Sequence, residues 1–347
     1  MKWKILIIIL LCITNFGIEK TPSHNEIRYG ECKIVMAIGN ATAGDYNLLL
    51  KVRDPARQGL QVLCIIPKGY EYDYHHPWLG YKMHFVVEKK FIGTTSKQDI
   101  PPNITKPGML LTEAGIALAD ADTFSYLTNP SVFAWDDFDW MRYAAQEASN
   151  EDEAVYLLTK EVVDKMHAPT LAENIFVVGK DKGIIIEADA FNYCIKEIYN
   201  GIAIQSNYPK LLWKKHIIYP IFIALNFNFT YLGWVEEGDL VRIGGIAGIR
   251  VSKIHSDSID IKLFPFGYKK EISLGEGKVL GNFWVKLIDI DNNKAKIYMC
   301  FKYYEWERKL EEILGKKEGN ITEKDLMALS RIHSNDLEGL RLSLIHI

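Results

Sequence analysis

Apolar residues in this chain recur mostly at every second position, and helical spacing breaks that rhythm in only two places. Side chains alternate between the faces of a strand and return every three to four residues on a helix, so the pattern restricts the chain to sheets with a few helices laid on them. "CKIVMAIG" and "LLLKVRD" flank the Gly/Asn/Asp-rich "NATAGDYN", which predicts a hairpin beginning at Cys32. "GLQVLCIIP", "KMHFVVEKKFIG" and "GMLLTEAGIALADAD" continue the strands. "WDDFDWMRYAAQEA" and "NEDEAVYLLTKEVVDKM" then predict two helices, the first capped by Asp136 or Asp137 and the second by a box of Asn150 with Glu153. "NIFVVG", "GIIIEAD", "YCIKEIYNG" and "IAIQSNYP" return to alternation as a second sheet, with "KDKG" as a tight turn. Residues 236–302 read as a small all-β module, with turn signals between short strands. Helical spacing resumes from Glu305 to Leu314, so the module is expected to be inserted between parts of a larger domain.

The chain has 347 residues, 48% of them apolar, and a formal charge of -3. Nothing in that balance favours a nucleic-acid partner. Lys2 and Lys4 precede an apolar run from Ile5 to Ile13 that is too short to span a bilayer and reads as a signal peptide. Residues 1–17 are expected to direct export, with a membrane anchor as the alternative, and residues 18–31 to form a propeptide. The five cysteines lack the short spacings of zinc sites or redox dithiols, and Cys64 and Cys300 read as core thiols. The final "LSLIHI", residues 342–347, back-translates to the end of a transposon used to fragment DNA and is expected to be a sequencing artefact on a truncated gene.

A cysteine that begins a chain carries its own α-amino group, which can serve as general base for its thiol. Cys32, at the head of an apolar strand just after a removable segment, would gain that amine by cleavage of the Glu31–Cys32 bond. Cys32, Ala41-Thr42-Ala43-Gly44-Asp45 and Lys51-Val52-Arg53-Asp54 resemble the opening motif of the N-terminal nucleophile hydrolases of the penicillin acyltransferase and dipeptidase A type. "GMLLTEAGIALADAD", "NIFVVGKDKGIIIEAD", "IQSNYP" and the helical stretch after residue 303 resemble later segments in the same order, over residues 32–213 and 303–340.

The resemblance implies an α+β fold, a four-layer αββα sandwich over residues 32–235 and 303–341. It implies Cys32 as nucleophile, Asn207 as oxyanion donor and Asp54 as orienting group. Lys51 stands where the family has arginine; it or Arg53, on the same strand face, would lower the thiol pKa or hold a substrate carboxylate. Thr112, Glu113 and Tyr208 would line the substrate site. This chain departs from the family at Gly44-Asp45, Val52 and Thr112, with amides lost at the last two positions.

Other constellations have plainer readings. His75, His76, Asp73 and His84 read as an aromatic loop lining a pocket rather than a metal site, and the acidic "WDDFDW" as a helix start. "GGIAG" lies between strands and reads as a hairpin turn, and Trp213, Tyr219, Phe222 and Trp234 as core or linker packing. No cofactor or metal is expected. The expected function is an exported or cell-surface cysteine amidase that cleaves a linear amide or small peptide through a Cys32 thioester. A catalytically silent binding protein on the same fold, and an acyltransferase, are the alternatives.

Overall fold

The computed structural model describes residues 32–52, 61–96, 107–123, 125, 127–215, 230–243, 247–281 and 283–330. Residues 1–31, Arg53, Asp54, Tyr219, Phe222 and residues 342–347 lie outside the described residues. The predicted opening hairpin forms: β1 (Lys33–Ile38) pairs antiparallel with β2 (Leu48–Val52). Gly39, at φ +56°, turns the chain after β1, where a Cβ would stand 2.6 Å from the Tyr199 carbonyl oxygen.

The strands that follow are β3 (Gln61–Ile66), β4 (Glu71–His75), β5 (Lys82–Val86), β6 (Phe91–Ser96), β7 (Met109–Thr112) and β8 (Ala117–Thr123). Helix α1 spans Asp137–Glu147 and α2 spans Glu151–Tyr156, continuing as π-helix over Leu157–Lys165. Asp136 caps α1 by accepting the Asp139 N–H. Asn150 caps α2 by accepting the Glu153 N–H, but the Glu153 carboxylate reaches back to Ser149 N–H, one residue before the cap, so the expected box closes one position early.

The expectation of a separate second sheet after the helices is corrected. β9 (Ala172–Val178), β10 (Gly183–Ala188) and β11 (Tyr193–Ile198) join the earlier strands in one seven-stranded sheet, ordered β11-β10-β9-β8-β7-β6-β3. The cause is the pairing of β8 with β9 across the intervening helices, from Ala117 opposite Val178 to Thr123 opposite Ala172. Only β12 (Gly201–Ser206) leaves for the other sheet, ordered β12-β1-β2, where it pairs with β1.

Between these two sheets lies an apolar layer of Ile34, Met36, Ile38, Ala119, Ala121, Phe176 and Val178. Trp140, Met141, Leu158, Val162, Ile175 and Val177 bury α1, α2 and the π-turn against the other face of the seven-stranded sheet. That sheet overhangs its smaller partner: along β3, Leu63 and Ile65 are each 67% exposed, and Cys64 between them is half-buried rather than a core thiol.

The remaining strands are β13 (Thr230–Val235), β14 (Leu240–Arg242), β15 (Gly248–Ile254), β16 (Ser258–Phe264), β17 (Lys269–Ser273), β18 (Gly277–Leu280), β19 (Phe283–Asp291) and β20 (Lys294–Phe301). They form two four-stranded sheets, β13-β20-β19-β18 and β14-β15-β16-β17, which share a core of Ile249, Val251, Ile259, Ile261, Val285 and Ile297. The all-β character expected for this stretch is therefore seen, beginning at Thr230. Trp234 is 43% exposed, so it packs on no core. Helix α3 (Lys302–Gly315) and α4 (Glu323–Leu329) follow, the latter started by a Thr322/Asp325 capping box. Leu310, Leu314 and Leu326 cover the outer face of β1 at Val35 and Ala37. No helix among the described residues is long and apolar enough to cross a membrane.

Candidate functional site

The register of β1 on β12 sets Lys33 opposite Ser206, which brings Cys32 level with Asn207 just past the end of β12. The Cys32 N–H donates to Asn207 Oδ1 at 2.5 Å, and Asn207 Nδ2 donates to the Asp122 carbonyl at 2.7 Å. The Ser206 hydroxyl donates to the Cys32 carbonyl at 2.6 Å. Both sides of the Cys32 peptide are thus held from one short segment, and the Asn207 amide bridges the two sheets. Cys32 is buried, while Asn207 is half-buried and Asp122 exposed, so the site faces solvent along the Asp122 side.

That segment is itself clamped. Asn174 Nδ2 donates to the carbonyls of Ser206 and Tyr208, at 2.7 and 3.1 Å. The buried Glu187 carboxylate accepts from Gln205 Nε2 and from the N–H groups of Lys210, Leu211 and Leu212. Glu307, from α3, accepts the Ser206 N–H at 3.0 Å and pairs with Lys210 at 2.5 Å. Burial pushes the Glu307 carboxyl up to about 7, against the opposing pull of Lys210 and the Ser206 N–H. The sequence reading missed Asn174, Glu187 and Glu307. Its available signal was the polar residues set inside otherwise apolar strands, where an unpaired polar group is costly.

Lys51 lies on the inner face of β2, almost wholly buried, with its Nζ 2.5 Å from Asp120 Oδ1 and 3.1 Å from the Gly108 carbonyl. Burial alone would lower the pKa of its ammonium, but Asp120 and then Cys32 hold it above the ordinary lysine value. The charge of Lys51 is therefore already engaged by Asp120.

Carboxylate oxygens of Asp120, Asp122 and Asp137 all lie within 4.8 Å of one another, and are the residues here that could hold a metal. Asp120 and Asp122 share a face of β8, and Glu173 stands directly opposite Asp122 on β9. Burial, followed by the neighbouring carboxylates, holds both Asp137 and Glu173 well above the usual carboxylate range. Asp136 does cap α1, as expected of "WDDFDW", and Asp137 beside it joins this acidic group.

The residues proposed from sequence divide. Cys32, Asn207 and Lys51 come together, and Tyr208 follows Asn207 with its ring stacked on Phe301 at 5.3 Å, its hydroxyl pKa raised by burial. Thr112 and Glu113 turn at the β7–β8 hairpin, where Thr112 Oγ1 accepts the Ile116 N–H and Glu113 accepts the Lys90 N–H. A strand rises about 3.4 Å per residue, so this tip stands roughly 15–20 Å along β8 from the Asp122 carbonyl, at the end away from Cys32. The aromatic loop folds onto the neighbourhood of α1: Trp135 Nε1 donates to the His75 carbonyl and Asn129 Nδ2 to that of Pro77. His76 Nδ1 accepts the N–H groups of Trp78 and Leu79 and so caps its own turn.

No family model and no curated protein matches this chain. Among solved structures it is similar to conjugated bile acid hydrolase from Clostridium perfringens, at 10% identity and a TM-score of 0.38, over 62% of this chain and 62% of that one. It is also similar to penicillin V acylase from Agrobacterium tumefaciens, at 14% identity and a TM-score of 0.35, over 48% of this chain and 50% of that one. The chain spans less than two thirds of either structure.

Proposed function

We propose that this chain is an exported cysteine amidase whose nucleophile is Cys32, acting once the Glu31–Cys32 bond has been cut. The observation that carries the reading is the bond from Cys32 N–H to Asn207 Oδ1, which fixes the backbone nitrogen that would become the free amine. That amine takes the thiol proton as sulfur attacks the substrate carbonyl. The second N–H of Asn207 Nδ2, beyond the one given to the Asp122 carbonyl, is the donor for the oxyanion. Collapse expels the amine leaving group, which takes up the proton, and leaves an acyl thioester on Cys32. Water, activated by the same amine, then hydrolyses the thioester and restores the thiol.

The packing of α1 and α2 on one sheet and of α3 and α4 on the other supports a four-layer αββα arrangement, with residues 230–301 as an inserted module. A silent binding protein is the competing reading, and the engagement of Lys51 by Asp120 is the observation that favours it.

The test is expression of the full chain, intact mass and N-terminal sequencing, followed by a screen of acyl amides and small peptides with wild type and Cys32→Ala. A chain beginning at Cys32, with hydrolysis abolished in the variant, is expected. Hydrolysis that survives Cys32→Ala, or an uncut Glu31–Cys32 bond in an active preparation, would overturn the mechanism.

A further inference from the structure

We propose that Asp120, Asp122 and Asp137, with Glu173 beneath them, form a divalent-cation site matched to Ca²⁺. Three observations converge on it. The oxygens of the three aspartates lie within 4.8 Å of one another. Several carboxylates converging on one point are a ligand set suited to Ca²⁺, whereas Mg²⁺ is usually held by one or two carboxylates and keeps several waters. Glu173 is 1% exposed, and neither of its carboxylate oxygens has a hydrogen-bond partner. Its place opposite Asp122 on the same face of the sheet aims it into the group.

Lys51 takes Oδ1 of Asp120 at the edge of the group. The N-terminus of α1 opposes a cation through its partial positive charge, and Asp136 at the cap offsets that cost. Asp120 and Glu173 are buried while Asp122 is exposed, so the group opens to solvent on one side. A bound ion would fix the end of β8, whose Asp122 carbonyl holds the Asn207 amide. The ligands come from β8, β9 and the start of α1, which explains why no contiguous metal motif marks them.

The experiment uses the full chain stripped with chelator, and follows thermal unfolding and titration calorimetry with CaCl2 and MgCl2. Millimolar CaCl2 is expected to raise the unfolding midpoint by roughly 3–6 °C in a saturable way, with a smaller effect of MgCl2. Asp122→Asn and Glu173→Gln are each expected to abolish most of that shift. Should Glu173→Gln fail to fold, Asp122→Asn at the exposed mouth carries the same reading. The site is overturned if calcium gives no saturable shift, if NaCl at matched ionic strength gives the same shift, or if both variants keep it.

Discussion

Between β13 and β20 the interior is almost wholly hydrocarbon, with Ser258 the one buried polar side chain among the described residues there, whereas the body built on β1–β12 buries Lys51, Asp120, Asp139, Arg142, Glu173 and Glu187. The two interiors answer to different demands. Apolar burial stabilises by about 25 cal/mol per Å² and asks for nothing but fit. Burying ions costs several kcal/mol for each before their attraction returns any of it, so a hydrocarbon core is the easier route to stability. Of these, Lys51 and Asp120 lie beside the residues that hold Cys32, and Glu187 clamps the segment after β12, whereas Asp139 and Arg142 pack against Tyr72 and Tyr74. The module carries no such burden.

The largest effect should come from taking away the Lys51 ammonium that pairs with Asp120. Lys51→Met leaves Asp120 buried among carboxylates, and is expected to lower stability by about 3–5 kcal/mol in denaturant unfolding. A loss below about 1 kcal/mol would mean that the body's charges are as dispensable as surface ones. Next, Asn207→Ala, measured on an amide whose cleavage requires Cys32, should lower kcat/KM by about 10²–10³ while the fold survives; unchanged turnover would remove Asn207 from the machinery.

The third effect is on pH. Glu307 has a folded pKa of about 7 against the ordinary 4.5, so the folded chain binds the extra proton. Its penalty is absent below the ordinary value and develops as pH rises through that window, so stability falls from about pH 4.5 to about pH 7. Glu307→Gln should flatten this slope in pH-dependent unfolding, and a slope left intact would assign it to other groups. The smallest effect belongs to the module. Ile261→Val, at a fully buried position, should cost about 0.5–1.5 kcal/mol and cost it equally at about pH 5 and about pH 8.

Local features were legible in the sequence and long-range ones were not. The hairpin from Cys32, the Asp136 cap and the tight turn at Lys180–Gly183 follow from residues close in the chain, whose chemistry fixes the backbone directly. The joining of β8 to β9 is invisible to periodicity, because alternation says which face a residue takes and nothing about which strand lies beside it. Asp120, Asp122, Asp137 and Glu173 are ordinary acidic residues until that pairing and the start of α1 bring them together. In the same way Thr112 and Glu113 match a motif, yet the β7–β8 turn carries them to the other end of the strand.

The bond between Cys32 and Asn207 also has a consequence in time. Its partners are 175 residues apart, and β1 is the central strand of its sheet, with β12 as one of its two neighbours. A ribosome adding about 5–20 residues per second needs on the order of 10–35 s to make that interval. Throughout it, the cysteine near the start of the sequence has neither its amide partner nor a complete sheet around it. The surroundings of Cys32 are thus assembled late although the residue itself is made early, so any chemistry proposed for it waits on synthesis of the segment through Asn207.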